Sequence, residues 1–125
     1  MPGLTLDAGA RTAVDRQDRR ILVLLARARE TIATLTVPAT ALAQAVRDPA
    51  RQARLARLVR QPTTDVVALD RVDATSVGRL LAESGSTDTV DAHVVICARR
   101  ANQAVVTSDA DDLQRLDLSL RLVLL

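Results

Sequence analysis

The chain has 125 residues, of which 48% are hydrophobic and 26% charged. That length suits one domain burying roughly two thirds of its unfolded surface, and the composition excludes a disordered chain. Its 17 basic and 15 acidic residues leave a net charge of +2. Every base is Arg, and only Glu30 and Glu83 among the acids are not Asp. The absence of Phe, Tyr and Trp excludes RNA modules that stack bases on aromatic platforms. Contact with a nucleic acid must then run through phosphate, arginine and metal. Cys97 and His93 are each the sole residue of their type, which excludes a disulfide framework, a CxxC knuckle and a His-rich zinc site. Cys97 reads as a buried, inert thiol. The opening "MPGLTLDAG" lacks the charged and apolar regions of a signal peptide. "ILVLLARA" is too short to cross a membrane. A cytoplasmic location is expected.

In chain order, Leu4 to Leu6 reads as a short strand ending at Asp7-Ala8-Gly9. Residues from about 10 to 31 read as helix, with a break near Asp15. Leu35 to Val37 reads as a second strand closed by Pro38. Two helices follow over 39–47 and 50–60, parted by Asp48-Pro49, because proline disfavours helix in the residue before it. Asp65 to Leu69 is a third strand and 73–83 a helix. "ESGSTD" is a loop of turn formers. A helix over 90–101, a strand Ala104 to Val106, a short helix 109–116 and an apolar strand 120–124 complete the chain. Strands alternating with helices predict an α/β domain over residues 1–125, with a mostly parallel sheet of four to five strands flanked by helices.

Acids recur where strands end. "LTLDAG" puts Asp7 after the first strand, and "AVVTSDADDL" puts Asp109, Asp111 and Asp112 after a later one. In open parallel sheets, ligands bind outside the carboxyl ends of the strands. Asp88 and Asp91 stand three apart and share a face if helical. Clustered carboxylates repel, and Mg²⁺ or Mn²⁺, which prefer oxygen ligands, offset that repulsion. The structural alternative is capping: Ser108 and Asp88 suit helix starts, and Asp109 and Asp111 suit a helix dipole. Asp7 resists that alternative, since Asp-Ala-Gly reads as a poor helix start.

At this point "LTLDAGA", "TVPATALAQAVR", "VDAHVVICARR" and "AVVTSDADDLQRL", in that order and spacing, resemble a PIN domain. The similarity is to the VapC-type toxin half of a bacterial VapBC toxin–antitoxin pair, and it covers essentially the whole chain. The resemblance implies a PIN-like fold and a Mg²⁺- or Mn²⁺-dependent endoribonuclease. It implies Asp7, Asp91 and Asp109 as catalytic metal ligands, with Asp88 and Asp112 beside them. Gln44 stands where the resemblance expects Glu; it keeps an acceptor oxygen but not the charge, and with Ser108 it is expected just outside the metal ligands. Partners implied are an RNA substrate (tRNA or rRNA), a VapB-like antitoxin and a second copy in a homodimer.

Arg47, Arg51 and Arg54 have helical spacing and read as an RNA-backbone contact beside the acids, or else as the solvated face of an amphipathic helix. Two further readings compete with the nuclease. One is a catalytically weak or inactive PIN-like module that binds RNA or protein, for which Gln44 speaks. The other is a phosphoryl-transfer domain using Asp7, which lacks the usual Lys.

Overall fold

The structure, a computed structural model, describes residues 3–46 and 53–125. It begins with strand β1 (Leu4–Leu6), all three residues of which are buried. Helix α1 (Ala8–Asp15) and helix α2 (Arg19–Glu30) follow, parted near Asp15 as the sequence predicts. Gln17 at φ 56° turns the chain between them. Asp18 then caps α2 by accepting from the Arg20 N–H at 2.9 Å. Next come β2 (Leu35–Pro38), α3 (Ala39–Ala45), α4 (Ala53–Val59) and β3 (Thr64–Val67). The second half runs α5 (Arg71–Ser84), α6 (Thr89–Ala101), β4 (Ala104–Thr107), α7 (Ala110–Leu116) and β5 (Leu122–Leu124). Asp48-Pro49 lies outside the described residues.

Boundaries differ from the sequence reading where a cap or the ladder decides them. Helix α5 starts at Arg71, ahead of the expected residue 73, because Asp70 accepts from the Asp73 N–H at 2.8 Å and so acts as its cap. It stops where Gly85 takes φ 73°, the left-handed conformation that closes many helices. Strands β3 and β5 are shorter than their apolar runs because pairing covers only Thr64–Val67 and Leu122–Leu124.

The five strands form one sheet in the order β3-β2-β1-β4-β5, and every neighbouring pair is parallel. This is the expected α/β class. The period-two pleat splits the core between the two faces of the sheet. Leu4, Leu6, Leu35, Val37 and Val106 pack with α1, α2 and α4. Val105 packs on the other face with α5, α6 and α7. The chain adds β2 and β3 on one side of β1, then crosses to add β4 and β5 on the other. Winding therefore reverses between β1 and β4, where Leu6 pairs with Val106. A crevice outside the carboxyl ends of those two strands follows from this reversal. No helix among the described residues is long and apolar enough to cross a membrane.

Candidate functional site

Asp7 leaves β1 into that crevice. It is 6% exposed, and its Oδ1 accepts from the Ala10 N–H at 2.8 Å. Asp7 is therefore the cap of α1, a correction to the reading of Asp-Ala-Gly as a poor helix start. Gly9 is tolerated in the first turn because the cap compensates, and its missing side chain has a use. A Cβ there would stand 2.6 Å from Ser108 Oγ and 3.4 Å from Asp7 Oδ1. Glycine thus lets the loop after β4 approach Asp7. The Asp7 N–H donates to the Val106 carbonyl at 3.3 Å, holding the two strand ends together. Beyond β4, the buried Thr107 turns the chain by accepting from the Asp109 N–H at 2.9 Å. Asp109 is the cap residue of α7, yet its side chain makes no capping hydrogen bond.

The opposite wall is the start of α6. Asp88 caps it, accepting from the Asp91 N–H at 3.0 Å, as the structural alternative held. Capping uses one oxygen and leaves the charge. Asp91 is pushed up to about 7 by burial, then by Asp88, Asp7 and Asp112. Asp112 in turn is raised, first by Asp109 and also by Asp88. Asp7 is raised by burial, against the opposing pull of the Thr107 side chain, the Ala10 N–H and the Arg11 charge. Asp7, Asp88, Asp91, Asp109 and Asp112 therefore form one repelling set, drawn from β1, α6 and the β4–α7 junction. An open cavity of about 330 Å³ is lined by Asp88, Asp91, Asp112 and Arg115, with the 84–87 loop. Asp7 and Asp109 lie outside that lining. The donors are hard carboxylate oxygens, and the raised proton affinity of Asp7, Asp91 and Asp112 is the electrostatic condition that a divalent cation relieves. The set fits Mg²⁺ or Mn²⁺.

The remaining sequence candidates are less closely tied to the acids. Gln44 is exposed on α3, and no hydrogen bond joins it to them. Ser108 is exposed beside Gly9. Arg47 and Arg51 lie outside the described residues. Arg54 donates from Nη1 to the Asp15 carbonyl at 3.2 Å. With its amide turned, Gln17 also accepts from Arg54. Arg54 thus ties α4 to the corner between α1 and α2.

Three features escaped the sequence reading. Arg115 reaches the cavity one turn after Asp112, from which its Nη1 is 3.6 Å away; that i,i+3 spacing was its only signal. Arg11 is fully buried on α1, where an arginine in an amphipathic pattern reads as solvated. The third is a buried group on the far side of α6. Asp73, His93 and Cys97 each place one ligand atom within 4.8 Å of the others. His93 and Cys97 were read singly, although four residues apart on a helix they share a face.

No protein-family model matches the chain, and no curated protein matches it in sequence. Solved structures do match. The chain superposes on VapBC2 from Rickettsia felis, solved bound to a DNA fragment from their promoter, with a TM-score of 0.68 and 14% identity over 98% of each chain. It also superposes on FitAcB from Neisseria gonorrhoeae with a TM-score of 0.63 and 13% identity over 95% of each chain. The chain has a PIN-like fold. At such identity a PIN-like backbone says nothing about side-chain chemistry, which rests on the acids themselves.

Proposed function

We propose that the chain is a divalent-metal-dependent endoribonuclease of the VapC toxin type. The observation that supports it is the convergence of Asp7 and Asp91 on the reversal point between β1 and β4, close enough for Asp7 to raise Asp91. An acid cluster of this kind is costly unless a cation is bound. Asp7, Asp91 and Asp109 would hold Mg²⁺ or Mn²⁺, with Asp88 and Asp112 beside them. Bound there, the cation supplies stabilisation of the charge that develops on a phosphodiester during hydrolysis.

The rest of the work falls to the chain. Gly9 keeps the approach to Asp7 narrow without a side chain. Arg115, on the rim of the acid cavity, is suited to a backbone phosphate, which offsets the repulsion between RNA and the carboxylates. For a partner, the PIN-like fold it shares with VapBC2 and FitAcB supports a VapB-like antitoxin. The exposed Leu22 and Val23 of α2 and Leu124 of β5 offer apolar surface to that antitoxin or to a second copy of the chain. A single domain over residues 1–125 and a cytoplasmic setting complete the reading.

The test is cleavage of cellular RNA by the purified protein in Mg²⁺ or Mn²⁺, against EDTA and against Asp91→Asn. Cleavage that needs both the metal and Asp91 supports the nuclease. Retained RNA or antitoxin binding without cleavage supports a second reading, the non-catalytic module, for which the uncharged and exposed Gln44 speaks.

A further inference from the structure

Helix α6 carries two kinds of chemistry. At 3.6 residues per turn, His93 and Cys97 face roughly away from Asp91. They meet Asp73 of α5 in the packed interface between the two helices, the three residues being 1, 0 and 2% exposed in the order Asp73, His93, Cys97. His93 Nε2 faces Asp73 Oδ2 at 3.4 Å. Its Nδ1 lies 2.7 Å from Thr40 Oγ1. With the ring proton on Nδ1 and donated to Thr40 Oγ1, Nε2 turns its lone pair towards Asp73, as a metal-ligating imidazole does when a hydrogen bond holds its other nitrogen. The buried Cys97 thiol is free.

We propose that Asp73, His93 and Cys97 form a second metal site, distinct from the carboxylate cluster, for a thiophilic divalent cation of the zinc class. The donor set decides the class. One oxygen, one nitrogen and one sulfur suit Zn²⁺ or Co²⁺, whereas Mg²⁺ and Ca²⁺ take oxygen alone. Metal bonds of roughly 2.0–2.3 Å would draw ligand atoms now within 4.8 Å of one another closer together.

The place is held at present by another cation. Arg100 donates from Nη1 to Asp73 Oδ2 at 3.3 Å and from Nη2 to Asp73 Oδ1. Its side chain is 53% exposed, so it can turn into solvent without burying a charge. The exchange balances. One guanidinium leaves the Asp73 carboxylate, one divalent cation enters, the His93 ring proton shifts from Nε2 to Nδ1 with the Thr40 hydroxyl turning to accept it, and Cys97 gives its proton to solvent as the metal–sulfur bond forms. The group is neutral before and after. Without metal, burial pushes the Cys97 thiol up to about 12, so it stays protonated and unreactive.

The experiment is a Co²⁺ titration of the full chain in excess Mg²⁺, which occupies hard oxygen sites. Because Cys97 is the only cysteine, a thiolate-to-cobalt charge-transfer band in the near ultraviolet reports this site alone. The expected result is a band that saturates at one equivalent and is lost on adding Zn²⁺. It should vanish in Cys97→Ala and tighten at least tenfold in Arg100→Ala, a surface change that removes the competing cation. No thiolate band from the folded wild type or from Arg100→Ala would overturn the proposal and leave the group as an ion-pair network joining α5 to α6. The outcome does not depend on whether the chain cleaves RNA.

Discussion

Arg11 lies one helical turn after Asp7, both side chains are buried, and each shifts the other: Arg11 opposes the rise of Asp7, while Asp7 opposes the fall of Arg11. Burial brings Arg11 down to about 10, so it remains a cation at neutral pH. Its Nη2 donates to the Leu6 carbonyl, but Nε and Nη1 have no partner. Orphaned buried donors cost about 1–3 kcal/mol each, but removing one member of a buried charge pair strands the other and costs more. Arg11→Met leaves Asp7 buried without its cation and is expected to lower stability by about 2 kcal/mol, several degrees in Tm. It also removes a charge that favours ionised Asp7. The pH at which half-maximal Mg²⁺ binding is reached should therefore move upward. An unchanged Tm together with an unmoved metal–pH profile would show that Arg11 acts through neither route.

The acid set also makes stability depend on pH. The Asp91 carboxyl titrates at 3.8 in the unfolded chain and at about 7 in the folded one. Between those values the folded chain holds a proton that the unfolded chain has released, so stability falls as pH rises through the window and levels off above it. Asp7 and Asp112, also raised, act in the same sense. Burial lowers His93 from 6.5, which works the other way, with stability gained as pH rises towards that value. Comparison with Asp91→Asn separates the two. The variant is expected to show a flatter decline in Tm between about pH 4 and 7 and to be more stable than the wild type near pH 8. Added Mg²⁺ should raise the wild-type Tm at pH 8 more than that of the variant. Parallel pH profiles for the two proteins would contradict this account of Asp91.

Much of this architecture was legible beforehand, for physical reasons that can be named. Leu4 to Leu6 and Ala104 to Val106 are apolar or β-branched runs too short for helices, and they prove to lie in adjacent strands β1 and β4, the latter one residue longer. The Asp88–Asp91 pairing was legible because acids three apart at a helix start share a face; the structure shows the capping half of that reading, the Asp91 N–H donating to Asp88. Asp7 was half legible. Its position in the crevice followed from the strand end, but its role as a cap depends on Gly9, whose fit is set by Ser108 some hundred residues away. Asp73 was hidden for the same reason: its partners His93 and Arg100 lie on another helix, and only the packing of α5 on α6 joins them. Arg11 was hidden because a pattern of apolar and charged residues does not reveal which arginine is the buried one.

Two glycines should separate stability from function. A Cβ at Gly3 would come 1.9 Å from the Thr34 carbonyl oxygen, which also accepts from the Leu4 N–H at 3.0 Å. Backbone cannot rotate away, so Gly3→Ala is expected to cost about 3 kcal/mol and roughly 10 °C in Tm. At Gly9 the nearest atom is the hydroxyl of Ser108, which can turn aside. Gly9→Ala should therefore lower Tm much less, yet weaken Mg²⁺ binding by crowding the Asp7 carboxylate, whose Oδ1 would stand 3.4 Å from the added Cβ. Thermal melts and metal titrations of both proteins check the contrast. Equal loss of stability in the two would remove the special place given to Gly9.

The final expectation concerns the missing charge on α3. That helix follows β2, the neighbour of β1 in the parallel sheet, so it starts on the same edge as Asp7. Gln44 is exposed there and uncharged. A carboxylate at this position adds solvent-screened attraction for a divalent cation, on the order of 1 kcal/mol. Gln44→Glu is thus expected to tighten Mg²⁺ binding about fivefold by calorimetry and to raise the rate of RNA cleavage at limiting metal. Gln44→Ala separates charge from hydrogen bonding: if the amide oxygen supports the metal's hydration shell, Ala weakens binding while Glu strengthens it. If both variants bind Mg²⁺ as the wild type does, residue 44 lies beyond the reach of the proposed site, and α3 contributes nothing to it.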